Sequence, residues 1–342
     1  SKLRQHVLTA KSNDNGEDIR RELRSFTGGS PLPSLTMTSL QQPDEPRISR
    51  PRYYDNDTHA FSSNNLYKLK NEAELNANLI FFHDRERTHG TSQTTYFLPE
   101  GTKVISEDLR NRGTIDQLEG ELRYNINKEQ LYFNNLLELK ASWEQEHGIV
   151  SAGEDLTQQM RQRYLSATNT SHWVRTKADG KGGEILWRNA VATSPHRLSI
   201  QPGLYAPRIN SGAPYAELTQ DVRHRAFLSF AELALLSAWH IGGLHISPRL
   251  FLQAQHQALD TELGATSLTG TYQPLPSRDM HNGISFTRLG AGLGHELSYK
   301  SEVFNLHAVL PLFYYHTLMQ EAFHLQQFFT LALQHFRNRN TG

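Results

Sequence analysis

The stretch Asp179-Gly180-Lys181-Gly182-Gly183 is the strongest local constraint on what this chain can fold into, because Trp173-Val174-Arg175 precedes it and Ile185-Leu186-Trp187 follows it. Glycines supply the positive backbone angles of a tight turn, and β-branched and aromatic flanks favour extended chain, so the segment predicts a β-hairpin. Asn78-Leu79-Ile80-Phe81-Phe82 is a short apolar run that ends in charge, which predicts a buried strand. Ile284 to Leu289 and Ser301 to Val309 alternate as strands do.

Longer segments predict helices. Glu107 to His147 carries Leu131, Phe133, Leu136, Leu137, Leu139 and Trp143 near helical spacing and stops at Gly148. Residues 153–166 read as helix by composition, and Tyr215 to His240 as the most apolar helix. Ser247-Pro248 opens another, and Pro311 to Phe336 closes the chain as an aromatic-rich one. Residues from about Ser12 to Asn65 are rich in Ser, Asn, Asp, Pro and Gly, too polar to offset the entropy of ordering. The expected organisation is a flexible leader over 1–65 and an α+β domain over 66–342, with a helical insertion over about 105–170.

Among 342 residues, 35 basic side chains balance 35 acidic ones, so no global field draws the chain to nucleic acid or an anionic membrane, and neither partner is expected. The absence of cysteine excludes disulfides, thiolate nucleophiles and Cys-ligated metals, and suits a chain that crosses an oxidising space. No apolar run reaches the roughly 18 residues of a transmembrane helix. The start, Ser1 to His6, has neither an initiator Met nor a signal-peptide core, as expected of a segment from a longer chain.

Three separated segments carry a resemblance. His83 ends an apolar strand and His89-Gly90-Thr91 follows it; Gly203-Leu204-Tyr205 is followed by Ser211 and Tyr215; Glu302 sits within Tyr299 to Asn305. Together they resemble the NAD pocket of ADP-ribosyltransferases of the diphtheria-toxin and poly(ADP-ribose) polymerase type. The resemblance implies a split β-sheet core, here with a large helical insertion and a C-terminal helix. It implies NAD as a substrate, with a histidine on the adenosine ribose; His89 fits the motif and His83 the strand-end position. Gly90, Thr91, Gly203, Ser211 and Tyr215 would shape the pocket, Tyr205 would stack on nicotinamide, and Glu302 would stabilise the oxocarbenium-like transition state. Arg85, with Arg87 beside it, could fork onto the diphosphate. The implied activity is nicotinamide-releasing transfer to a target protein by a secreted effector acting in a host or target cell, with a host activating protein as a further possible partner. No metal is expected. Lys300 stands where arginine-directed transferases carry a second glutamate, which leaves the acceptor open.

Two alternatives stand beside it. Glu144/His147 and Glu321/His324 are Glu-x-x-His pairs which, on helices and joined by Glu121 and Glu232, would make a di-metal carboxylate site. Apolar stripes on 127–147 and 311–336 would suit a non-enzymatic binder of a host protein, or core packing, and His224, His240, His316 and His335 read as helix-packing residues. Gly290-Ala291-Gly292-Leu293-Gly294 lacks the flanking elements of a phosphate-binding loop.

Overall fold

The computed structural model describes residues 2–13, 40–43, 55–99, 101–151, 155–202, 214–275, 282–300, 305–319 and 330–331. Every regular element among them is a strand: β1 (Lys2–Asn13), β2 (Asp55–Lys68), β3 (Ala73–Leu98), β4 (Gly101–Lys128), β5 (Leu131–Ser151), β6 (Asp155–Thr176) and β7 (Gly182–Gln201). There follow β8 (Tyr215–Leu236), β9 (Trp239–Ile241), β10 (Leu244–Ser267), β11 (Tyr272–Pro274), β12 (Asn282–Lys300), β13 (Asn305–Met319) and β14 (Thr330–Leu331).

The strands form one antiparallel sheet in the order β1-β2-β3-β4-β5-β6-β7-β8-β10-β12-β13-β14, with the short β9 and β11 paired to β10. Each long strand is thus the antiparallel neighbour of the next long strand in the chain. The expected hairpin is present: Trp173 pairs Ile185 across β6 and β7, and Gly180, at φ 78°, donates its N–H to the Lys177 carbonyl at 3.0 Å. The strand expected at Asn78 to Phe82 lies within β3, and Ile284 to Leu289 lies within β12.

The α+β expectation is overturned, and with it the split-sheet core with helical insertion. Residues 105–170 form most of β4, β5 and β6; Tyr215 to Leu236 is β8, and Ser247-Pro248 lies inside β10. The expected C-terminal helix begins instead as β13, which runs to Met319, and meets β14 at Thr330. Two ends of the expected leader, β1 and β2, are sheet members in register from Lys2↔Lys68 to Asn13↔Thr58. The physical cause is periodicity. In β4, Leu118, Gly120, Leu122 and Tyr124 alternate with Glu119, Glu121 and Arg123, which separates apolar and charged groups only if successive side chains point to opposite faces.

One face of the sheet is closed and the other open. Along β2, Asn56, Thr58, Ala60 and Ser62 are buried while Asp55, Asp57, His59 and Phe61 between them are exposed. Buried residues on β3 (Ile80, Phe82, Asp84), β6 (Gln158 to Ser166, alternate positions) and β12 (Gly292, Gly294) continue the closed row. No helix packs on this face among the described residues.

Candidate functional site

The polarity of the two faces is the reverse of a water-soluble sheet. The enclosed row holds Asn56, Thr58, Ser62, Asp84, Gln162, Ser166, Ser194 and His196, all buried, with Ile80, Phe82, Met160 and Phe251 among them. The open row holds large apolar side chains in the exposed state: Leu139 at 47%, Leu165 at 56%, Leu235 at 60% and Leu293 at 66%. These are not scattered. On β3 the open row is apolar from Leu75 to Phe81, on β6 from Leu165 to Trp173 with Asn169 and Ser171 interposed, on β8 from Phe227 to Leu235 with Ser229 interposed, and on β10 from Leu244 to Ala254. Each stretch is close to the 9–11 residues with which a tilted strand crosses a bilayer. Charged residues bound the belt: Arg85 and Arg87 follow Phe81 on β3, Arg163 and Arg175 bracket it on β6, and Arg225 precedes Phe227 on β8.

The belt runs obliquely to the hydrogen-bond ladder. Followed from Phe81 through Leu118, Ala141, Leu165 and Thr193, the same ladder row arrives at Arg225 on β8, already outside the belt. Strands inclined to an apolar layer produce this drift, whereas strands perpendicular to it would keep one row apolar throughout. Tryptophans stand in or beside the belt, with Trp143 and Trp187 exposed on the open face.

Inside, at the level of the belt, Arg249 is the centre of an ion cluster. Its guanidinium meets Glu232 on β8, Glu296 on β12 and, at 3.4 Å, Glu184 on β7. Register explains how one arginine reaches three strands: its ladder partners are Ala234 and Gly294, side chains too small to block it. Glu184 in turn has an oxygen 2.7 Å from His172 Nε2. All four members of the arginine cluster are at least four-fifths buried, and the single guanidinium stands among three carboxylates, one of which also meets His172.

Beyond the belt, on the side away from the 69–72 and 129–130 turns, a piece of the β1–β2 connection lies against the inner row. Leu40 is buried, the Gln41 N–H donates to Gln158 Oε1 at 3.1 Å, and Asn111 Nδ2 donates to the Gln41 carbonyl at 2.8 Å. Gln42 Nε2 donates to Glu146 Oε2 at 3.3 Å. Two glycines make the approach possible: a Cβ at Gly90 would stand 2.5 Å from Pro43 Cβ, and one at Gly148 would stand 2.4 Å from Asn111 Oδ1. Glu146 shares this corner with Glu144 and Glu86, and burial, reinforced by those two carboxylates, pushes its pKa up to about 7.

The residues expected to bind NAD do not assemble among the described residues. His83, Arg85 and His89 lie on the open row of β3; His83 Nδ1 is 2.7 Å from Asp116 and His89 Nε2 is 2.8 Å from Asp108, cross-strand pairs on the sheet surface. Gly90 and Thr91 follow on the same strand, Gly90 on the inner row against Pro43. Tyr215 is on β8, buried in a small cluster with Leu218, Leu263, Ala265 and Leu275. Gly203, Tyr205, Ser211 and Glu302 lie outside the described residues. Of the di-metal set, Glu144 and His147 are three apart on strand β5 and so take opposite faces, Glu121 is on β4, and Glu232 belongs to the Arg249 cluster; Glu321 and His324 lie outside the described residues. Gly290 to Gly294 is not a loop but part of β12, its glycines on the inner row.

Sequence reasoning missed Arg249, Glu184, Glu296 and Asn111, and the belt itself. The alternation at Leu118 to Tyr124 was the available signal. No family model, curated protein or solved structure matches the chain.

Proposed function

We propose that this chain is a membrane β-barrel protein of the outer-membrane type, whose polar interior forms a passage for hydrophilic solutes. The observation that carries the reading is the exposed apolar belt, about one bilayer core in height, wrapped around a polar enclosed face. An apolar band of this extent has no other stable environment, since water would leave it exposed on strand after strand. Only closed sheets or helices satisfy their backbone groups in lipid, so on this reading β1, which pairs β2 alone among the described residues, meets the C-terminal strands to complete a ring. This replaces the expectation of a chain without a membrane partner, acting in a target cell. NAD-dependent transfer, the activity implied by resemblance, finds no favouring contact among the described residues.

The test uses the four tryptophans. Variants retaining only Trp187 or only Trp143, reconstituted into vesicles with brominated acyl chains, are expected to lose most of their emission relative to unbrominated lipid. Equal emission in the two lipids would remove the membrane reading. The passage itself is read as stepwise ion conductance across a planar bilayer, and a silent, fully inserted protein would refute it. Nicotinamide release from NAD by the same preparation, abolished by Glu302→Gln, would restore the transferase reading.

A further inference from the structure

Directly outside the belt, on the side where the strands run on, the open face turns from apolar to arginine-rich. Arg85 on β3, Arg112 on β4, Arg161 and Arg163 on β6 and Arg223 on β8 are all exposed there. None of these five has a carboxylate partner among the described residues. Neighbouring Arg87, Arg110, Arg197 and Arg225 do, with Asp55, Asp108, Asp221 and Asp260. Asp116, Asp155 and Glu217 lie on the same strands, so the surface between β3 and β8 keeps an excess of positive charge.

The surface is also shaped. A groove of about 590 Å³ is lined by Arg87, His89, Arg110, Arg112 and His147 with Asp55 as its one carboxylate, and an adjoining one of about 460 Å³ adds Arg85 and Glu146. Register ties this ground to the belt edge, because Trp143 pairs Arg163 on one side and Asp116 on the other, while Arg161 pairs Gln145 one alternation further out. A guanidinium presents parallel N–H donors that match two oxygens of a phosphate, and arginine is the basic side chain suited to that fork.

Resting on the membrane reading, we propose that this arginine collar binds the phosphate groups of anionic lipids in the leaflet at the long-strand side. Charge complementarity and continuity with the apolar belt select this occupant: a lipid whose chains lie along Leu118, Leu139 and Leu165 brings its headgroup to the level of Arg163 and Arg161. A basic side chain near an anionic surface contributes about 1 kcal/mol, or roughly fivefold in affinity.

The experiment uses the single-Trp143 and single-Trp187 proteins in vesicles where a minority of either phosphatidylglycerol or phosphatidylcholine carries the bromines. At Trp143, brominated phosphatidylglycerol is expected to quench with about fivefold or greater preference over brominated phosphatidylcholine. At Trp187, near the opposite edge, the two should be equal. The preference should vanish in about 1 M salt, where the Debye length is about 3 Å. It should also vanish in an Arg85→Gln, Arg112→Gln, Arg161→Gln, Arg163→Gln variant that still inserts. Equal quenching by both lipids at Trp143, or a preference that survives salt and substitution, would overturn the collar. Absence of quenching by phosphatidylcholine at both tryptophans would instead be a failure of the membrane reading, so the two results are separable.

Discussion

At the scale of single residues, two buried charge sites make opposite demands. Arg249 answers three carboxylates, so its removal takes away the guanidinium that Glu184, Glu232 and Glu296 share and leaves their buried charges to repel one another. Arg249→Met is expected to destabilise the protein by about 3–5 kcal/mol, whereas joint replacement of all four residues by apolar ones of similar size should cost far less. Urea unfolding in lipid vesicles measures both. Glu146 is the converse, a buried carboxyl whose nearest charged influences are the carboxylates Glu144 and Glu86. Its pKa of about 7 in the folded protein stands above the ordinary 4.5, so protonated Glu146 favours the folded arrangement. The contribution is complete below about pH 4.5, declines between pH 4.5 and 7, and is gone above the folded value. Docking of residues 40–43 through Gln42 should loosen across that window as pH rises. A fluorophore on a cysteine at Gln41 should become more accessible to iodide between pH 5 and 8, and Glu146→Gln should flatten the response.

At the scale of elements, the open and enclosed rows predict opposite tolerance along a single ladder. Leu139→Arg places a charge in the belt and is expected to cost about 2–4 kcal/mol, while Thr168→Arg, on the enclosed row of the neighbouring strand, should cost little. Equal losses in the two variants would mean that the rows do not differ in environment. The hairpin at Asp179 to Gly183 was legible in the sequence because turn chemistry is local. The long strands were not, for two reasons visible in particular residues. In β8, Ala226, Leu228, Phe230 and Ala234 on the enclosed row fall between Phe227, Ala231, Leu233 and Leu235 on the open one, which makes a run interrupted only by Ser229 and Glu232 and dense enough in apolar residues to imitate a buried helix. Strands of 20–28 residues also lie far outside the usual 3–10, so length argued for helix where it should not have. Of the candidate site, His83, Arg85 and His89, expected to face NAD, stand on a sheet surface, where His83 and His89 pair Asp116 and Asp108. Arg249 carried no local signal, because its partners come from 17, 47 and 65 positions away.

At the scale of the whole molecule, neighbours in the wall are neighbours in the chain, from β1 through β8 and on by way of β10 to β14. Joining ends that are already adjacent costs little loop entropy, so such a wall can be assembled hairpin by hairpin. The same arrangement makes circumference an adjustable quantity: gaining or losing one pair of strands widens or narrows the ring without rethreading any connection. In the proposed barrel, pore diameter is therefore open to change by simple duplication or deletion of strand pairs, while the open and enclosed rows keep their alternation.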